Sequence, residues 1–256
     1  MSRLTVALGA IVVLAGGQAR AALNWDIYGD AVIADGDVYN VVRIYDTPPG
    51  RTSVGMTGGL IDAAGAHDSS TFNVSGGHIY SLSVNGSSTG NVSGHAFMYR
   101  AGAHDLSTLN VSGGDLGGIT ATGYSMVNIS GGSIGGITVG QDAMINMNGG
   151  EVTGYSSLEV LGAAVVNLRG GNLSVIYGDS RGEPFAGAIN IYGYSLVKTS
   201  DGTPYGGYVS GFWFDDTAFN IYVQGSYVYA RTNLIPEPCT LCLLSLGGLV
   251  VMNRRQ

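Results

Sequence analysis

The sequence is short of cysteine, lysine and charge, and each shortage excludes a class of protein. Cys239 and Cys242, the only cysteines, lie close to the C-terminus of the 256-residue chain, so disulfides do not hold its main part together. Lys198 is the only lysine and charged residues make up 11%, which excludes a long helical rod and a highly charged disordered chain. Between residues 22 and 235 stand 7 basic and 17 acidic residues, which excludes a nucleic-acid partner.

Glycine and apolar residues are abundant instead. The chain has 43 glycines, and hydrophobic residues make up 45% of it. The glycines follow no strict three-residue period, so a collagen helix is excluded. What remains is a glycine-punctuated, strand-rich protein.

Residues 1–21 predict a secretory signal peptide. Arg3 supplies the positive charge, Leu4 to Ala15 form a short apolar run, and Ala19-Arg20-Ala21 places small residues before a cut by signal peptidase at Ala22. The alternative, a membrane anchor, requires about 20 apolar residues, which is longer than this run.

The C-terminal segment, residues 232–256, has three parts. Pro236-Glu237-Pro238 is followed by an apolar, predicted transmembrane run ending at Met252 and then by Arg254-Arg255. This tail resembles the PEP-CTERM sorting signal of Gram-negative bacteria. The resemblance implies recognition by an exosortase, transient residence in the inner membrane, and removal of the tail near Pro236–Pro238. It further implies delivery to the cell envelope or an extracellular matrix.

The region between the two ends is a repeat. An asparagine flanked by apolar residues, usually with Gly-Gly three and four residues later, recurs at intervals of 18, 19, 18, 18, 21 and 23 residues. The recurring positions are Asn73, Asn91, Asn110, Asn128, Asn146, Asn167 and Asn190.

This period predicts an all-β parallel β-solenoid over residues 22–200. The apolar residues beside each asparagine alternate with it, so they face inward and the asparagine faces outward, where it can form an amide ladder. Each Gly-Gly provides a corner, and stacking of successive coils buries the apolar residues. About nine coils fit. The drift in spacing favours a right-handed coil, although 18 residues also suit a triangular left-handed one. Residues 201–231 are aromatic and alternating, which predicts a C-terminal β cap, and residues 232–238 a linker.

Three groups of residues are candidates for chemistry. His67-Asp68 and His104-Asp105 form a duplicated block, interpreted as a copied surface turn rather than a metal site. No cofactor is expected. Scattered acids, with Asp215-Asp216 the one adjacent pair, argue against a polysaccharide lyase or hydrolase. Aromatic residues near the C-terminal end are candidates for stacking on sugars: Tyr192, Tyr194, Tyr205, Tyr208 and Trp213.

These observations predict an exported, non-enzymatic structural protein of the cell surface or extracellular matrix. Its partners during export are signal peptidase and the exosortase. The alternatives are a carbohydrate-binding adhesin, whose partner is extracellular polysaccharide, and a polysaccharide-processing enzyme.

Overall fold

The computed structural model describes residues 23–154, 158–178 and 185–236. These residues form strands almost throughout, with one short helix. In chain order the elements are β1 (Leu23–Ile27), β2 (Ala31–Ile33), β3 (Val38–Ile44), β4 (Ser53–Met56), β5 (Leu60–Ala66), β6 (Thr71–Val74), β7 (His78–Val84), β8 (Thr89–Val92), β9 (Phe97–Ala103), β10 (Thr108–Leu116), β11 (Ile119–Ala121), β12 (Met126–Ile134), β13 (Ile137–Val139), β14 (Met144–Val152), β15 (Leu158–Val160), β16 (Val165–Asn172), β17 (Val175–Gly178), β18 (Ala188–Ser200), β19 (Gly206–Phe212), β20 (Ala218–Gln224), α1 (Ser226–Ala230) and β21 (Thr232–Pro236).

Two parallel stacks of strands form a β-solenoid of about eight turns, close to the nine coils expected from the repeat. One stack runs β1, β3, β5, β7, β9 and continues through β11, β13, β15 and β17. The other stack runs through the even-numbered strands from β2 to β18. Each turn of the chain contributes to both stacks, so the predicted parallel solenoid is confirmed. The pairing leaves its right-handedness as a prediction.

The inward assignment of the apolar residues is confirmed. Leu109, Val127, Ile145 and Val166 lie side by side on successive coils and are buried. The neighbouring column behaves in the same way, because side chains two residues apart on a strand point to the same side. Its members are Val111, Ile129, Met147 and Leu168. The core is therefore a set of in-register columns that run along the stack.

Glycine is required where the longer strands turn a corner. Gly132 has φ +92, and a Cβ built on it would lie 3.0 and 3.1 Å from backbone atoms of Gly114 and Gly113 in the preceding coil. An L side chain at this position is therefore strained both by the backbone conformation and by the close approach of the neighbouring coil.

The predicted amide ladder is present on the outside of the second stack. From Asn91 onward, each asparagine Nδ2 donates to the Oδ1 of the asparagine one coil earlier, at 2.8 to 3.0 Å, whereas Asn73 Nδ2 donates to the Ser53 hydroxyl at 3.3 Å. The ladder comprises Asn73, Asn91, Asn110, Asn128, Asn146, Asn167, Asn190 and, unexpectedly, Asn233. Four of these asparagines stand in glycosylation-type triplets. Their amide nitrogens already donate hydrogen bonds, that of Asn73 to the Ser53 hydroxyl and the other three within the ladder.

A column of buried hydroxyls closes another corner, which the repeat had not indicated. Ser70, Ser88, Ser107 and Ser125 occupy equivalent positions and are at most 1% exposed. The Ser88 hydroxyl lies 2.6 Å from its acceptor, the Asn85 carbonyl oxygen, and it accepts from the Asn85 N–H at 3.1 Å. Burial of these hydroxyls is tolerated because each one satisfies backbone groups at the bend.

The C-terminal part differs from the coils. β18 extends beyond the second stack and pairs antiparallel with β19, β19 pairs antiparallel with β20, and β20 returns to pair parallel with β17 of the first stack. The predicted cap is thus a three-stranded antiparallel sheet that joins the two stacks. It also contains α1, a helix that the alternating pattern did not predict.

The interpretation of residues 232–238 as a linker is corrected for residues 232–236. They form β21, which pairs parallel with β18 and adds Asn233 to the ladder. The signal peptide at 1–21 and the residues Glu237, Pro238, Arg254 and Arg255 of the sorting signal lie outside the described residues. The same holds for the predicted transmembrane segment. Within the described ranges, no helix is long and apolar enough to cross a membrane.

Candidate functional site

The outer side of the C-terminal antiparallel sheet carries a concentration of exposed aromatic residues. Cross-strand pairing places the outward side chains of β18, β19 and β20 in three rows, which together we call the aromatic face. The rows are Tyr194, Phe212 and Ala218; Val197, Ser210 and Asn220; and Thr199, Tyr208 and Tyr222.

The two outer rows of the aromatic face each hold a pair of rings. Tyr194 and Phe212 stack with centroids 5.3 Å apart and planes inclined by 12°. Tyr208 and Tyr222 lie 5.0 Å apart with planes inclined by 45°. Because Tyr208 and Phe212 are four residues apart on β19, the two pairs are separated by roughly 13 Å along the strand. The polar side chains of Ser210 and Asn220 lie between them.

A carboxylate holds one tyrosine hydroxyl at each end of the face. Tyr194 donates to Asp216, which stands in the β19–β20 turn, and this hydrogen bond raises the pKa of the phenol above its usual value. Tyr222 donates to Asp201 at 3.0 Å, and this bond raises its pKa likewise. The hydroxyl and N–H of Thr203 lower the pKa of Asp201, so that carboxylate is charged at neutral pH. Both tyrosine rings are therefore fixed in orientation.

The inner side of the same sheet anchors it to the solenoid. Val209, Ile221 and Val223 are fully buried. Lys198, whose pKa is lowered by burial, donates to the carbonyl oxygens of Tyr229 and Thr232 and so links β18 to the end of α1 and the start of β21. The aromatic face consequently stands on a packed support.

The structure brings together only part of the aromatic set predicted from the sequence. Tyr194 and Tyr208 lie on the aromatic face, and Tyr205 is exposed in the loop that carries Asp201. Tyr192 lies on the second stack, with the Arg169 guanidinium 3.9 Å from its ring centroid.

The prediction for Trp213 is corrected. Trp213 is 2% exposed, stacks on Phe219 at 3.9 Å between centroids, and donates from Nε1 to the Gly171 carbonyl oxygen at 3.0 Å. Because its ring is buried, Trp213 offers no exposed face to a ligand. It instead fastens the β19–β20 turn to the solenoid. Sequence reasoning missed Phe212 and Tyr222, which the alternation within residues 208–212 and 218–222 places on the same side as Tyr208.

The histidine–aspartate blocks lie at the same corner of two coils that are separated by a third, and their contacts are structural. The His67 ring stacks on Tyr45 at 4.9 Å, and His104 Nδ1 is 2.8 Å from the Thr122 hydroxyl. Asp105 Oδ2 accepts from the Gly86 N–H at 3.1 Å, while Asp68 and Asp105 both have positive φ. Among the described residues, no cluster of three or more histidine, cysteine, aspartate or glutamate side chains is arranged to hold a metal ion.

The adjacent acids Asp215 and Asp216 are occupied within their own turn. Asp215 Oδ1 accepts from the Thr217 N–H at 3.0 Å, which lowers the pKa of Asp215, and Asp216 accepts from Tyr194. This arrangement orients the turn and one tyrosine ring.

Comparison of the chain with protein-family models, with curated proteins and with solved structures finds no match.

Proposed function

We propose that the protein is an exported, non-enzymatic structural component of the cell surface or extracellular matrix, sorted by an exosortase through its C-terminal PEP motif. The observation that carries the structural role is the continuous asparagine ladder. It joins every coil from Asn73 to Asn190 and ends on Asn233 of the last strand. A body tied together from Asn73 to its last strand suits a stiff spacer that holds its ends apart.

The surface charge suits the same role. The region from residue 22 to 235 carries ten more acidic than basic residues, since 17 acids stand against 7 bases. An excess of one sign of charge keeps an exported protein soluble and discourages association of its copies. The columns of the core supply stability that a cysteine-free body cannot obtain from disulfides.

The position of the PEP motif supports the sorting proposal. β21 ends at Pro236, and Glu237 follows it directly in the sequence. A proteolytic cut after Pro238 therefore leaves the last strand of the solenoid complete, together with the Asn233 rung. A cut several residues earlier would remove part of β21 and its pairing with β18.

Intact-mass analysis of the protein from its native cells tests the proposal. We expect a mature species that begins at Ala22 and ends near Pro238. Replacing Glu237 and Pro238 with alanine should leave the tail in place and keep the protein in the membrane fraction. The Gln224→Ala variant, which changes an exposed residue of β20, is the control and should be processed normally.

A mature form that retains residues 239–256 in the unaltered protein contradicts exosortase sorting. Turnover of a polysaccharide by the mature protein, abolished by changing carboxylates in one groove, would replace the structural role with an enzymatic one.

A further inference from the structure

The aromatic face exposes a cluster of apolar side chains. Val197 is 53% exposed, Tyr208 44%, and Tyr194 and Phe212 38% each, whereas Val209, Ile221 and Val223 on the opposite side of the same sheet are fully buried. Apolar side chains clustered on one exposed surface, and bordered by polar residues, are typical of an interaction site. From this clustering we infer that the aromatic face is a binding site for uncharged polysaccharide.

The rings of the face are held ready for a ligand. Tyr194 stacks on Phe212 and is fixed at its hydroxyl by Asp216, while Tyr222 is fixed by Asp201. A surface whose side chains are already ordered loses little conformational entropy when it binds. Rings that serve only to fill a cap need no such restraint on their solvent-facing hydroxyls.

The chemistry of the face selects a sugar over other partners. A pyranose ring offers C–H groups that pack on aromatic rings and hydroxyls that bond to polar neighbours. The face provides both, because Ser210 and Asn220 lie between the two ring pairs and carboxylates stand at its ends. Hydroxyls of the sugar can bond to the side chains of Ser210 and Asn220.

Charge disfavours anionic partners. Asp201, Asp215 and Asp216 border the face, and the one basic residue of β18, Lys198, points to the inner side. Nucleic acid, anionic lipid and acidic polysaccharide are repelled by these carboxylates. A second copy of the chain docked face to face would set the same acids against one another. An uncharged chain carries no such penalty.

The separation of the ring pairs predicts a dependence on ligand length. The pairs lie roughly 13 Å apart along β19, so one sugar unit reaches one pair only. An oligosaccharide that spans both pairs engages two platforms at once and binds more tightly than a monosaccharide.

Affinity electrophoresis and titration calorimetry on the processed protein test the inference. The probes are laminarin and dextran as uncharged polymers, alginate as an acidic one, and glucose as a single unit. We expect retardation by at least one uncharged polymer, none by alginate, and no measurable binding of glucose. The double variant Tyr208→Ser and Phe212→Ser should weaken polymer binding at least tenfold, whereas Tyr208→Phe should retain it, because the ring supplies the contact.

The matched control is the double variant Tyr80→Ser and Tyr99→Ser. These tyrosines stack at 4.9 Å on neighbouring coils and are 50% and 49% exposed, but they lie on the first stack, away from the cap. Binding should survive this change. The inference is overturned if no uncharged polymer binds, if alginate binds best, or if both double variants lose binding equally while their thermal melts match the parent. It is also overturned if the face variants instead dissociate a dimer seen by light scattering. None of these outcomes bears on how the tail is processed.

Discussion

The coils and the C-terminal sheet are built from the same strand geometry but use their outward positions differently. On the coils the outward residue of the second stack is an asparagine from Asn73 to Asn190, each bonded to the next. On the C-terminal sheet four of the nine outward residues are aromatic, and the outward residues do not repeat. In the repeated coils the outward asparagines bond to one another and so hold the stack together. Where repetition stops, the outward side chains are not used in the ladder, and we have proposed that they bind a ligand.

The two regions should also differ in how far the destabilisation caused by one substitution extends. A buried column residue contacts the coil on each side, so a change in one coil affects its neighbours. The antiparallel sheet is held to the solenoid by the pairing of β20 with β17 and by a few large side chains, of which Trp213 is one. The following variants compare these two modes of stabilisation.

Val127→Asp should have the largest effect. Val127 is fully buried between Leu109 and Ile145 on adjoining coils, so a carboxylate there has no water and no partner. We expect a loss of more than about 4 kcal/mol in the free energy of unfolding, measured by urea denaturation. Met126→Asp, one residue earlier on the outward side, is the control and should cost little. An unchanged thermal melt for Val127→Asp would contradict the inward assignment.

Trp213→Ala should damage the C-terminal sheet alone. Removal of the ring leaves a cavity against Phe219 and an unpaired Gly171 carbonyl, a loss of about 3 kcal/mol or more. Hydrogen exchange should accelerate in β19 and β20 while β10, β12 and β14 stay protected. Phe214→Ala changes a neighbouring ring that is 45% exposed and should leave exchange unaltered. Equal acceleration throughout the chain would show that the two regions unfold as one unit.

Asn128→Ala should cost more than Asn233→Ala. Asn128 donates to Asn110 and accepts from Asn146, whereas Asn233 stands at the end of the ladder and donates to Asn190. At about 1 kcal/mol per hydrogen bond, the interior variant should lose about 2 kcal/mol and the terminal one about 1. Equal losses, measured by urea unfolding, would show that the ladder adds nothing beyond local contacts.

Gly55→Asn should produce the smallest change and a gain in stability. Gly55 pairs with Asn73 and has nothing within 4 Å of a built Cβ, so an asparagine there can extend the ladder by one rung. We expect a stabilisation of about 1 kcal/mol from the added bond. Gly55→Ala separates this bond from the general benefit of replacing a strand glycine. If the two variants are equally stable, the added amide makes no bond.

The repeat period was sufficient to predict the solenoid, its inward columns and the outward amides, because each depends only on alternation and stacking. It could not predict the buried Ser88, because the burial of a hydroxyl depends on carbonyl groups that fold back towards it. The repeat period did not predict β21 either, for another reason. Asn233 lies 43 residues after Asn190 in the chain, and the intervening antiparallel sheet removes the period. Tyr222 joins Tyr208 only through the pairing of β19 with β20.

The in-register stacking has a consequence for how such a chain changes length during evolution. Asn110, Asn128 and Asn146 are 18 residues apart, and equivalent positions of the three coils carry similar residues. If one whole repeat were deleted, the coils on either side of it would stack directly, and their inward residues would still pair in register. If one were duplicated, the new coil would lie between coils with equivalent residues. Each such event alters the height of the molecule by about 4.8 Å without a new core having to be found. The distance to which the C-terminal sheet is held out is therefore adjustable in steps of one repeat.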